Sequence, residues 1–106
     1  MTEEHTGAEH LAARLAAIAS PQRMRIIHEL LGQPLHVSEL ARRVEMSRAL
    51  LYMHLRKLED AGFVTSELRL SEDGKAINVY SSANFSITLT PQLIAAAIEN
   101  LSSKEK

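Results

Sequence analysis

The sequence predicts a mainly α-helical domain that carries one small β-hairpin. Three observations lead there. Apolar residues recur at three- and four-residue spacing in five segments, the spacing that puts side chains on one face of a helix. Ser or Thr stands before several of these segments, twice followed by Pro, and Gly closes two of them, which are start and stop signals. After Gly62 the period drops to two, around an Asp73-Gly74 pair, a hairpin signal.

The elements follow in order. Residues 1–8 are expected to fray. Leu11, Leu15 and Ile18, among many alanines, mark a first helix over about 9–19. Ser20 caps and Pro21 opens a second, over about 21–31, which stops at Gly32; Met24, Ile27, Leu30 and Leu31 are expected to be its buried side. A short third helix, about 37–44, turns Leu40, Ala41 and Val44 inward. Two or three residues later Ser47 caps a fourth helix that ends before Gly62. A short helix, a tight turn and a longer helix make a helix-turn-helix. Glu45 stands where such a turn often uses Gly, and a left-handed backbone there costs roughly 1–2 kcal/mol.

Centring the hairpin turn on Asp73-Gly74 pairs Leu70 with Ile77 and Leu68 with Val79. These four then share one face, and Glu67, Arg69, Asn78 and Tyr80 the other. "ANFSITLTP" reads as an extended return. Thr90 caps and Pro91 opens a last helix, about 91–102, with Leu93, Ile94, Ala97, Ile98 and Leu101 as its apolar residues. Residues 103–106 are expected to fray, leaving one domain over 9–102.

Composition narrows the function classes. The chain of 106 residues is 45% hydrophobic with both charge signs, as globular domains are. It has no cysteine, hence no disulfide, thiolate metal site or cysteine nucleophile. No apolar run approaches the roughly 18 residues of a membrane span, and "MTEEHTGAEH" lacks the order of a secretion signal; a cytoplasmic location is expected. No phosphate loop, nucleophile elbow or paired carboxylate-and-histidine motif supports an enzyme, and no cofactor is expected. Net charge is −1, against the usual basic footprint of nucleic-acid binders. Its distribution is uneven: residues 21–60 carry seven Arg or Lys against five acids.

The fourth helix, in "SRALLYMHLRKLEDAGFV", has two faces that both carry large side chains. Leu51, Leu55 and Leu58 form one stripe; Ala49, Tyr52, Met53 and Arg56 lie roughly opposite. The second stripe reads either as scattered surface residues, which are common, or as a surface that binds something.

At these residues the chain resembles the ArsR-like winged helix-turn-helix transcriptional regulators. "AIASPQRMRIIHELL" is similar to that family's opening signature, and "HVSELARRVEMSRALLYMHLRKLEDAGFV" to its helix-turn-helix with the exit into the wing. The resemblance runs from about Leu11 to Leu101. It implies a homodimeric DNA-binding repressor, with a recognition helix at 47–60, a wing at 64–81, and first and last helices forming the dimer interface. Leu11, Leu15, Ile18, Leu93, Ile94, Ala97, Ile98 and Leu101 would line that interface, which would remove a large apolar patch from water.

In this reading the three leucines seat the helix, and Ala49, Tyr52, Met53 and Arg56 face the major groove, where base edges differ in donors, acceptors and methyls. Ser47 opens that face. Arg48 and Arg56 reach a base edge or phosphate, Tyr52 offers a hydroxyl, and Met53 and Ala49 meet thymine methyls. Lys57, Arg69 and Lys75 serve phosphate. Arg56 and Lys57 read alternatively as a solvated face paired with Glu59 or Asp60. Arg42 and Arg43 read equally as helix-end charges or phosphate contacts.

The family's metal-sensing Cys-x-Cys places fall on His36 and Ser38, and the last helix has no His. No metal site is therefore expected; His36 reads as a cap or surface residue, and His54 lies beside the recognition face. Two rivals stay open. One is a winged-helix module that binds protein through Tyr52 and Met53. The other is a regulator with an effector at the dimer interface, whose chemistry the sequence does not reveal.

Overall fold

The structure, a computed structural model, describes the backbone of residues 7–105 and the side-chain surroundings of residues 7–99. The tail read at 1–6, His5 and the side chain of Leu101 lie outside the described residues. Five helices and three strands follow in the order α1 (Gly7–Ile18), α2 (Pro21–Gly32), β1 (Leu35–His36), α3 (Val37–Val44), α4 (Arg48–Asp60), β2 (Val64–Leu70), β3 (Ala76–Ser82) and α5 (Pro91–Glu105). The fold is mainly helical with a small β wing, a winged helix-turn-helix. The described residues divide into two compact units, one of residues 7–16 and 86–105, the other of residues 17–85.

The second unit holds the helix-turn-helix and wing. Its core is Ile26 and Leu30 of α2, Val37, Leu40, Ala41 and Val44 of α3, and Leu51, Leu55 and Leu58 of α4, with Leu35, Phe63, Val64, Val79 and Tyr80 from the sheet and its approach. Phe63 meets the edge of Phe85 at 4.6 Å between ring centres and 73° between planes, an attractive aromatic arrangement. The side of α2 that is buried differs from the expected one. Ile26 and Leu30 are buried, whereas Met24 and Leu31 are exposed and Ile27 is half-buried. Ile26 and Leu30 are four residues apart and share a face; apolar periodicity alone left that stripe and the Met24–Leu31 stripe equivalent.

Both helices of the motif end in the same way. At the end of α4, Phe63 N–H donates to the Leu58 carbonyl at 2.9 Å and Gly62 N–H to Glu59 at 3.0 Å. Gly62 sits at φ +86°, the left-handed step of a Schellman motif, and Phe63 and Leu58 are both fully buried. At the end of α3, Met46 N–H donates to Ala41 at 3.1 Å and Glu45 N–H to Arg42 at 3.3 Å. Glu45 takes the left-handed step at φ 58°, with the cost a Cβ brings. The cost of a left-handed Glu45 left a differently shaped turn open in the sequence; the structure keeps the left-handed step, with Glu45 in the place of glycine.

The sheet is antiparallel in the order β1-β3-β2. The two-residue β1, which sequence reading missed, pairs Leu35 with Tyr80 and His36 with Val79. The wing register also differs from the expected one. Leu70 pairs with Ala76, Arg69 with Ile77, Leu68 with Asn78 and Glu67 with Val79. The turn is a three-residue loop, Glu72-Asp73-Gly74, closed by Ser71 N–H to the Lys75 carbonyl at 2.8 Å and Gly74 N–H to Ser71 at 2.9 Å. A two-residue type I′ turn needs positive φ at both Asp73 and Gly74. Gly74 has φ +85°, and Asp73 is not in that region. The longer loop asks for the left-handed conformation at glycine alone, and the Ser71 hydroxyl accepts the Lys75 N–H at 3.2 Å.

Slipping by one residue changes every partner. Leu68 and Leu70 now share a face with Asn78, Ala76, Ser66 and Tyr80. They are exposed, at 70% and 76%.

Candidate nucleic-acid interface

The helix α4 has the two faces the sequence predicts. Ser47 starts it by accepting the Leu50 N–H at 3.2 Å, so this hydroxyl is already engaged as a cap. Leu51, Leu55 and Leu58 are at most 1% exposed. Each fully buried leucine contributes about 1.5–3 kcal/mol, so this seat is firmly held. On the other side Ala49, Tyr52, Met53, Arg56 and Lys57 are all exposed. Tyr52 and Met53 keep 41% and 44% of their surface in water, more than two large apolar side chains would retain in a core. Arg48 is exposed too, but its guanidinium donates to the Ser38 hydroxyl on α3. That bond ties the start of α4 to α3 across the turn.

The positive charges around the motif divide into engaged and available ones. Arg42 and Arg43 both pair with Glu39 one turn back. Arg43 also reaches Glu29 of α2 at 3.7 Å, and Arg25 donates to the Arg43 carbonyl at 3.2 Å. The hydrogen bond from Arg43, helped by the Arg42 charge, holds the Glu39 carboxyl below its ordinary range. These arginines thus serve the α2–α3 packing and the end of α3. On the wing, Arg69 pairs with Glu67 of its own strand. By the observed register it lies on the face with Ile77 and Val79, opposite Leu68.

Lys75 is exposed beside the turn, with its N–H bonded to Ser71. At the tip the Ser71 hydroxyl donates to Asp73 and holds that carboxyl low. The base of the wing faces α4: the Ser66 hydroxyl donates to Glu59 at 2.8 Å, and Glu59 and Tyr52 act on the buried Tyr80 phenol, whose pKa is raised chiefly by burial.

His54 is a correction. It does not lie beside the exposed stripe but is buried, 5% exposed, on the seated side of α4. Arg23 of α2 donates to its Nδ1 at 3.1 Å. Sequence reading missed this pair because 31 residues separate its members. It missed Ser38 as the partner of Arg48 for the same kind of reason.

The residues expected at a dimer interface lie on α1 and α5. Thr90 caps α5 by accepting the Leu93 N–H at 3.0 Å. Leu93, Ile94 and Ile98 of α5 are exposed, Ala97 is buried, and Leu11, Leu15 and Ile18 of α1 are half-buried. Among the described residues no three His, Asp or Glu come together as a metal site, and no helix is long and apolar enough to cross a membrane.

Comparison with known proteins places this architecture. The model of the bacterial regulatory protein arsR family matches residues 20–66, from the cap of α2 into the wing. An HTH-type transcriptional regulator of Methanocaldococcus jannaschii is 39% identical over 84 residues, covering 79% of this chain and 87% of that protein. The chain belongs to the ArsR family. ArsR-family membership agrees with a second relative, the nodulation protein NolR of Rhizobium meliloti, 33% identical over 77% of this chain and 64% of that protein. Among solved structures, NolR of Sinorhizobium fredii superposes with a TM-score of 0.61 at 26% identity, over 98% of this chain and 96% of that one. Reduced HlyU of Vibrio cholerae shares the fold, with a TM-score of 0.59 at 24% identity over 85% and 83% of the two chains. The Methanocaldococcus relative is an HTH-type transcriptional regulator, and an ArsR-family chain with this fold is a DNA-binding transcription regulator.

Proposed function

We propose that the protein is a homodimeric, sequence-specific binder of double-stranded DNA that acts as a transcriptional repressor. The observation that carries this reading is the exposed stripe Ala49-Tyr52-Met53-Arg56 on a helix whose other side is sealed by three leucines. Tyr52 and Met53, kept in water on so firm a base, suit a major groove, which accepts one helix and reads such side chains. Arg56 pairs with a guanine edge, Tyr52 gives its hydroxyl to phosphate or base, and Met53 and Ala49 meet thymine methyls. Arg48 and Lys57 lie on phosphate, Lys75 follows from the wing, and Arg69 contributes if it leaves Glu67. Ser47 holds the first turn.

Dimerisation is supported by the apolar residues that α5 leaves in water, Leu93, Ile94 and Ile98. A second copy would cover them, together with Ala97, Leu11, Leu15, Ile18 and Leu101. Two recognition helices would then meet half-sites roughly 34 Å apart.

The test is a selection of bound duplexes from a random pool, then titration of the selected duplex at several salt concentrations and a promoter-reporter assay. A steep fall of affinity with salt is expected, because phosphate contacts release counterions. Sedimentation should give a dimer, and the reporter should fall when the protein is present. Failure to enrich any sequence would remove the reading. The rival, a protein-binding module, draws on the same Tyr52 and Met53 and on the pairing of Arg69 with Glu67; it predicts binding that salt leaves nearly unchanged. An effector at the dimer interface would show as a ligand-dependent change in duplex affinity.

A further inference from the structure

One buried group has no part in reading DNA. Among the described residues His54 is the polar side chain buried in the core, and its neighbours on α4 include Met53 before it and Arg56 two residues on. Arg23 Nε donates to its Nδ1 at 3.1 Å, and Arg23 Nη1 donates to the Ala17 carbonyl at 3.0 Å. A guanidinium only donates, so Nδ1 must be bare and the ring neutral, with its proton on Nε2. That Nε2 is buried without a hydrogen-bond partner among the described residues.

Two cations act on the ring, Arg23 from α2 and Lys57 from its own helix, and among the described residues no carboxylate acts with them. Burial first, then these two charges, push the His54 pKa below its ordinary value.

We propose that the Arg23–His54 hydrogen bond is the positioning contact that sets α4 on α2, so that full affinity for the duplex requires a neutral His54. This rests on the reading of α4 as the DNA-contacting helix. His54 touches no DNA; it acts through the stripe on the far side of its helix. A proton on Nδ1 turns the acceptor into a donor facing a donor, and sets an imidazolium against a guanidinium inside the core. Either Arg23 leaves, giving up the Ala17 carbonyl, or α4 shifts. Groups that must meet base edges within hydrogen-bond reach tolerate little of the second.

The test compares the full chain with His54→Asn and Arg23→Met, by titrating the selected duplex at constant ionic strength from about pH 8 to about pH 5.5, a range that spans the ordinary His pKa. Asn keeps an acceptor close to the Nδ1 position and does not titrate there. The exposed His10, His28 and His36 are the same in both proteins, so the ratio of dissociation constants, parent over His54→Asn, is the readout.

The ratio should be level above pH 7 and rise in acid, toward the about tenfold per pH unit that one linked proton allows. By NMR the His54 ring should titrate below the ordinary His value, and Arg23→Met should move it upward. Arg23→Met should bind DNA several-fold more weakly at pH 8 with its salt slope unchanged; a slope reduced by about one would make Arg23 a phosphate contact instead. If His54→Asn loses its helical circular dichroism, the Arg23→Met affinity and the NMR titration decide alone. Duplex binding with a level ratio, His54 titrating at or above the ordinary His value, or unimpaired Arg23→Met overturns the proposal. No duplex binding by the parent at pH 8 overturns the reading of α4, and the proposal with it.

Discussion

The helix α4 and the wing are neighbours in sequence and opposites in construction. Along α4 every turn returns a side chain to the core: Leu51, then His54 and Leu55, then Leu58. Along β2 only Val64, the first of seven residues, is buried. The wing is held at its base by Val64, Val79 and Tyr80 and by the Ser66–Glu59 hydrogen bond. Beyond that, its ladder stands in water. A helix fastened at each turn presents its exposed stripe at a fixed angle, which direct readout of base edges requires. A hairpin fastened at one end can follow a backbone but cannot hold a side chain to a base edge with the same accuracy. If α4 and the wing contact DNA as proposed, specificity would belong to α4 and general affinity to the wing.

Four substitutions break or sharpen this contrast. Removing the seat should have the largest effect: Leu55→Ala empties a fully buried site and should cost about 2–5 kcal/mol in urea or thermal unfolding. Next, Arg56→Ala should leave stability unchanged and cost about 1–3 kcal/mol of duplex affinity, with relaxed preference at one base position in the selection. Lys75→Ala should weaken all duplexes alike, by less than about 1 kcal/mol, and lower the salt slope by about one. A sequence-dependent loss at Lys75, or a uniform one at Arg56, would invert the assignment. Smallest of all, Leu70→Ala should move stability by no more than about 0.5 kcal/mol, as surface changes do, although it removes the same side chain as Leu55→Ala. A large loss there would mean that the wing's exposed leucines are covered in solution.

The same contrast explains how far the sequence could be read. The helix-turn-helix was legible because each of its signals is local. Ser47, the leucine spacing and Gly62 act within a turn or two of their own position, and the structure keeps them: α3 at Val37–Val44 and α4 at Arg48–Asp60. The exposed stripe of α4 follows from the same period. The wing register was not legible, because Asp73-Gly74 serves a two-residue or a three-residue loop equally well in a string of letters. The choice turned on where positive φ falls and on the Ser71 side chain bonding to Lys75 N–H.

What the sequence determined by itself was the order and type of the helices, the place of the turn and the face of α4 that remains outside. These rest on periodicity and capping, whose range is about one helical turn. Only the tertiary structure decided which side of α2 is covered, that Leu35–His36 joins the sheet, how β2 and β3 align, which arginines are engaged with Glu39 or Glu67, and that His54 meets Arg23. Each of these is a choice between partners far apart in the chain, made by packing and by the cost of leaving a buried polar group or a charge without company.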